Sequence, residues 1–82
     1  MSSGPEYLVL LEKVVSCAKN LGIEYSEIHV YPLSRGYRIE LYPEPPTGYL
    51  EDLAKCIEEA AKLKASIAVR ASGKAIFLEK KS

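Results

Sequence analysis

Eighty-two residues suffice for one domain with a modest core, too small to wall off a deep catalytic pocket. Eleven Lys and Arg against eleven Asp and Glu leave no net charge, which excludes a protein that coats duplex DNA by bulk charge but leaves room for a local basic patch. No apolar run approaches the roughly 20 residues that cross a bilayer, and the opening MSSGPE lacks the basic and apolar regions of a signal peptide; a cytoplasmic protein with no membrane partner is the expectation.

Ser3-Gly4-Pro5-Glu6 reads as a helix start, with a capping hydroxyl, a proline near the first turn and a glutamate three residues after Ser3. Leu8, Leu11, Val14, Val15, Ala18 and Leu21 then recur at helical spacing, with Glu12, Lys13 and Lys19 left outside. The spacing predicts a helix from about Glu6 to Leu21, ended by Gly22.

From Ile23 to Tyr42 two alternating runs flank a Pro/Gly-containing turn, the pattern of a β-hairpin. This stretch holds four of the six tyrosines, the only histidine and two of the three arginines. Residues i and i+2 of a strand share a face. Ile28, Val30, Ile39 and Leu41 therefore mark an aliphatic side, with Tyr37 on it by parity unless Gly36 forms a bulge that re-aims it. Glu27, His29, Tyr31, Arg38, Glu40 and Tyr42 mark the other.

PEPPTG cannot continue a strand or a helix and reads as a stiff connection. Thr47 is a plausible N-cap for a second helix over about Gly48 to Leu63, with Glu51 and Asp52 in its first turn and Lys62 and Lys64 in its last. Ser66 to Ala71 and Ala75 to Glu79 alternate again around the turn dipeptide Ser72-Gly73. Ile67, Val69, Ile76 and Leu78 point inward; Ala68, Arg70, Ala75, Phe77 and Glu79 point outward. Lys80 to Ser82 are expected to fray.

The αββ unit thus occurs twice, over residues 6–42 and 49–80, with 43–48 as linker inside one domain of 1–82. YLVLLEK and YLEDLAK open the two helices, and Gly36 aligns with Gly73 at the two turns. Each unit exposes an apolar sheet face that it cannot cover alone. The economical fold is α+β, αββαββ, a four-stranded antiparallel sheet with both helices packed on one face.

The other face of that sheet is left open, and it gathers Tyr31, Tyr42 and Phe77 beside Arg38 and Arg70. Unpaired bases stack on such rings, and guanidinium groups fork onto phosphate or stack on planar groups. The reading is a single-stranded nucleic-acid surface, for DNA or RNA, with Tyr31, Tyr42 and Phe77 as stacking platforms and Arg38 and Arg70 as cations. Arg35, His29, Tyr37 and Lys74 are secondary contacts. Two other readings stand beside it. Tyr, Phe and Arg are also enriched at interface centres, which fits a homodimer or protein contact through the same face. Tyrosine is a favoured strand residue, and Arg38 with Glu40 or Arg70 with Glu79 would form ordinary surface ion pairs.

With two helices backing a four-stranded antiparallel sheet, and aromatic and arginine residues presented as YPLSRGYRIELY, the chain resembles in architecture and composition, over most of its length, the ThermoDBP-related single-stranded DNA-binding proteins. That resemblance implies an archaeal, thermophilic, cytoplasmic protein that protects exposed DNA strands without sequence preference.

Catalysis has no visible signature, so no enzyme and no cofactor are expected. His29 is the sole histidine, Cys17 and Cys56 lack CxxC spacing, and Gly36 and Gly73 are isolated turn glycines, so neither a zinc site nor a phosphate-cradling loop is indicated. Buried thiols are the ordinary reading of the two cysteines. A helix-to-helix disulfide is the alternative, suited to a hyperthermophilic cytosol.

Overall fold

The computed structural model describes residues 4–80. In chain order it has α1 (Gly4–Asn20), β1 (Glu27–Leu33), β2 (Gly36–Tyr42), α2 (Thr47–Ala61), β3 (Lys64–Arg70) and β4 (Gly73–Glu79). The four strands form one antiparallel sheet in the order β1-β2-β4-β3. This is the αββαββ arrangement expected from the periodicity. The proposed Ser3 cap and the fraying of residues 81–82 lie outside the described residues; Lys80, expected to fray with them, is instead held by its N–H, which donates to the Arg35 carbonyl at 2.8 Å.

The end of α1 follows from its sequence. Gly22 takes a positive φ of 71°, its N–H donates to the Lys19 carbonyl at 3.1 Å, and the Ile23 N–H donates to the Ala18 carbonyl at 2.9 Å. This is the Schellman arrangement, in which a left-handed glycine satisfies the last helical carbonyls and the next apolar residue packs back on the helix. Ile23 is accordingly buried. It belongs to the helix stop and not to the hairpin, so β1 begins at Glu27, later than the alternation suggested.

The second helix departs from expectation at both ends. Pro46 holds the N-cap position in an extended conformation, and its carbonyl accepts the Leu50 N–H at 3.0 Å. Thr47 is already helical and does not cap. With that earlier start, Glu51 and Asp52 fall beyond the first turn. At the other end Lys62 adopts φ 61° and donates its N–H to the Glu58 carbonyl at 2.9 Å, closing the helix as a glycine usually would. Lys64 lies in β3, because the strand starts as soon as this turn is complete.

The core is a single cluster. Leu10, Val14, Cys17 and Ala18 of α1 and Leu50, Leu53, Ala54 and Ile57 of α2 meet Val30, Tyr37, Ile39, Leu41, Ile76 and Leu78 of the sheet. All the sheet residues in this cluster share one parity, so both helices lie on one face. Cys17 and Cys56 form a disulfide between the helices, with Cα atoms 5.9 Å apart, and no cysteine is free. Closing a loop of this length, a separation of 39 residues, restricts the unfolded chain and contributes about 4 kcal/mol on the chain-entropy account.

Where the two hairpins meet, β2 pairs with β4 through Gly36 with Glu79, Tyr37 with Leu78, Arg38 with Phe77 and Ile39 with Ile76. Aligning Gly36 on Gly73 brings Ile39 onto Ile76, and these two residues are direct partners. The sheet therefore has an approximate two-fold axis through that pair. At Gly36 the strands come so close that a methyl group would collide with the Leu78 carbonyl oxygen, which accounts for glycine there.

Candidate nucleic-acid interface

Strand register assembles the open face in rows. Tyr31 pairs with Arg38, Arg38 with Phe77, and Phe77 with Ser66, so ring, guanidinium, ring and hydroxyl cross all four strands in one line. No helix lies over them. Arg38 holds its guanidinium 4.6 Å from the Tyr31 ring centroid, a cation–π contact. His29 stacks on Tyr31 with planes 9° apart and centroids at 5.9 Å, and meets Tyr42 edge-on at 5.2 Å. Three rings and one guanidinium thus form a continuous patch along the first hairpin.

Glu40 organises the charges. Although it sits on the face that no helix covers, it is only 7% exposed, because Tyr42, Arg38 and Arg70 close over it. The Tyr42 hydroxyl donates to Oε1 and Arg70 donates through Nη1 to Oε2. Arg38 Nε lies 2.9 Å from Oε2, an ion pair by distance without the alignment of a hydrogen bond. Arg70 comes from β3, two strands away. It reaches across β4 because Ala75 and Ala68 are small, and Ala75 is left 1% exposed. The Tyr42 hydrogen bond, and then Arg70 and Arg38, hold the Glu40 carboxyl below its ordinary value against a burial effect that pushes it up. The same hydrogen bond raises Tyr42 above the usual tyrosine value.

The register forbids the ion pair of Arg70 with Glu79 that the sequence suggests. Arg70 faces Gly73 at one end of the β3–β4 ladder and Glu79 faces Lys64 at the other. Glu27 bonds His29 Nε2 at 2.9 Å. Acidic Glu27, Glu40 and Glu79 thus share the face with basic Arg38, Arg70 and Lys64, and its charge is balanced.

His29, Tyr31, Arg38, Tyr42, Arg70 and Phe77 come together on the open face as the sequence indicated. Tyr37 does not. Gly36 makes no bulge in the ladder, so parity holds; Tyr37 is 6% exposed on the helix side, and Lys80 Nζ lies 5.6 Å from its ring centroid. Lys74 is also turned away. Its Nζ donates to Thr47 Oγ1 at 2.7 Å, and its backbone N–H donates to Glu44 Oε1 at 2.9 Å, which ties it to the start of α2. Arg35 is exposed at the β1–β2 turn, where its carbonyl accepts the Lys80 N–H at 2.8 Å.

Missing from the sequence reading is Glu40 as the common partner of both arginines. The i, i+2 spacing of Arg38, Glu40 and Tyr42 signalled half of the cluster; Arg70 arrives only through strand order. A hollow of about 140 Å³ opens at the margin of the face, bordered by Tyr42, Arg70, Ser72 and Gly73. A larger hollow of about 350 Å³, lined by Gly22, Ile23, Pro43, Pro45, Pro46 and Tyr49, lies beside the linker. Among the described residues no three His, Cys, Asp or Glu side chains gather as metal ligands, and no helix is long and apolar enough to cross a membrane. The chain matches no protein-family model, no curated protein and no solved structure.

Proposed function

We propose that the open sheet face binds single-stranded nucleic acid, DNA in the first instance, without sequence preference. The observation that carries this reading is the row Tyr31–Arg38–Phe77 across three adjacent strands, uncovered by any helix. Bases released from a duplex stack on such rings for roughly 1–3 kcal/mol each. The Glu40 network fixes Arg38 beside Tyr31, so a base meets a preformed platform. With the face charge balanced, stacking supplies most of the affinity. The resemblance to ThermoDBP-related proteins points the same way.

The test is a titration of labelled oligo-dT and a matched duplex at two salt concentrations. Oligo-dT should bind and the duplex should not. Arg38→Ala should weaken binding and flatten its salt dependence, whereas Tyr31→Ala should weaken it with the salt slope nearly unchanged. A second reading, a homodimer sealed through this same face, is favoured by the mutual neutralisation around Glu40, which leaves few charges to desolvate in an interface. It forecasts a dimer that Tyr42→Arg splits and no response of tyrosine fluorescence to oligo-dT.

A further inference from the structure

The sheet has two edges, and they are not alike. β1 carries Pro32, which lacks an N–H and is a usual guard of an outer strand. β3, KASIAVR, has no proline, and no charge between its two terminal residues. Val69, which alternation placed inward with Ile67, instead stands 75% exposed near the end of the strand. Among the described residues, Glu58 of α2 reaches this edge and accepts the Ala65 N–H at 3.2 Å.

That contact also fixes how α2 faces the edge. Glu51, Lys55 and Glu58 follow at spacings of four and three within α2, so they share the side of the helix that Glu58 turns toward β3, and Lys62 follows at the left-handed C-cap. All four are exposed. Read in either direction, the series alternates acid and base. If a second α2 is laid beside the first in the opposite sense, Lys55 of each copy meets Glu58 of the other. A two-fold pairing of β3 with its own copy requires the same antiparallel sense.

We infer that the β3 edge is an interface with a second copy of this chain, forming a continuous eight-stranded sheet with the two α2 helices side by side. Glu58 changes partner on assembly. In the single chain it covers the Ala65 donor; in the pair that donor bonds the opposite strand and Lys55 of the second copy takes the carboxylate. The open faces of the two copies then join into one surface. The inference stands independently of what that surface binds.

Light scattering over a concentration series reads the oligomeric state of the intact, oxidised chain. The wild type should dimerise. Lys55→Glu and Glu58→Lys, each alone, sets like charges against each other and should raise the dimer dissociation constant by about tenfold or more. An equimolar mixture of the two variants should recover the dimer as a heterodimer, since each supplies what the other lacks. Within its own helix, Lys55→Glu sets a second acid four residues from Glu51, and Glu58→Lys sets a second base three residues from Lys55. Both of these repulsions persist in the mixture, so recovery cannot come from helix stability. Tyr42→Arg, on the open face, should leave this dimer intact. A wild type that stays monomeric, single variants that dimerise as it does, or a mixture that fails to recover would each overturn the inference.

Discussion

Ile76 and Phe77 are neighbours in β4, yet the first is sealed beneath the helices and the second lies on the uncovered face. The two sides of this sheet obey different rules. Beneath the helices the hairpins contribute equivalent residues: Ile39 opposes Ile76, and Leu41 and Leu78 occupy matching positions in the two units. On the open side the equivalence ends. Both hairpins supply ionic groups there, but the first adds the rings of His29, Tyr31 and Tyr42, while the second adds Ser66, Ala68 and Ala75 with Phe77 as its one ring. Packing holds these four positions to one pattern, because a cavity or an overfilled core costs stability, and the match ends where buried Tyr37 aligns with Lys74. Solvent imposes no such demand, and there the units have taken separate chemistry.

The largest expected contrast comes from truncating these neighbours in turn. Ile76→Ala should lower unfolding free energy by about 3 kcal/mol, through lost burial and the cavity left behind. Oligonucleotide affinity of the folded fraction should be unchanged. Phe77→Ala should cost about 1 kcal/mol of stability and show most of its effect in binding. Urea unfolding and fluorescence titration of the two variants separate the outcomes. If Ile76→Ala weakened binding as much as Phe77→Ala, the division between the faces would not hold.

Glu40 tests the open side alone. Glu40→Gln removes a charge that both arginines share and should cost about 1–2 kcal/mol. The same change should tighten oligo-dT binding and steepen its salt dependence, because two guanidinium groups lose their internal anion. Loss of stability with gain of affinity is the outcome a purely structural network would not produce. Acid should reveal the same group. The folded pKa of Glu40 lies below its unfolded value, so its stabilisation is complete above the ordinary carboxylate value of 4.5 and disappears as pH falls through the folded value. Urea midpoints measured down to about pH 3 should show this acid limb in the wild type and a smaller one in Glu40→Gln.

The smallest effect belongs to the exposed end of α2. Lys62 holds a positive φ that glycine adopts at no steric cost, and Lys62→Gly should raise stability by about 1 kcal/mol, read as a higher urea midpoint. Oligonucleotide affinity should not move.

Much of this architecture was legible in the chain. Alternation over Ile28 to Val30 and Ile39 to Leu41, helical spacing from Leu8 to Leu21, and glycines at two turns were enough for the element order and the layer arrangement. The turn geometry escaped. Alternation cannot distinguish Ile23 as a strand residue from Ile23 as the apolar contact after a helix-stopping glycine, and a cap at Thr47 could not be told from one at Pro46. The open face was legible where it depended on parity alone, as for Tyr31, Arg38 and Phe77. It was not legible where a long side chain crosses strands: Arg70 finds Glu40 only because the order β1-β2-β4-β3 and two alanines leave a path. Parity had assigned Tyr37 to the core, and the structure gives no reason to move it.

The bond between Cys17 and Cys56 divides the molecule in a way that the sheet does not. The backbone between them contains all of β1, β2 and the proline linker, so the hairpin bearing His29, Tyr31, Arg38 and Tyr42 is enclosed in a covalent ring. The second hairpin hangs outside it as a free tail from the end of α2. Whenever the sheet opens, the ring keeps the ends of its segment near one another, whereas nothing but packing and hydrogen bonds returns β3 and β4. Most of the aromatic platform is thus carried by the half of the chain that has the shorter way back.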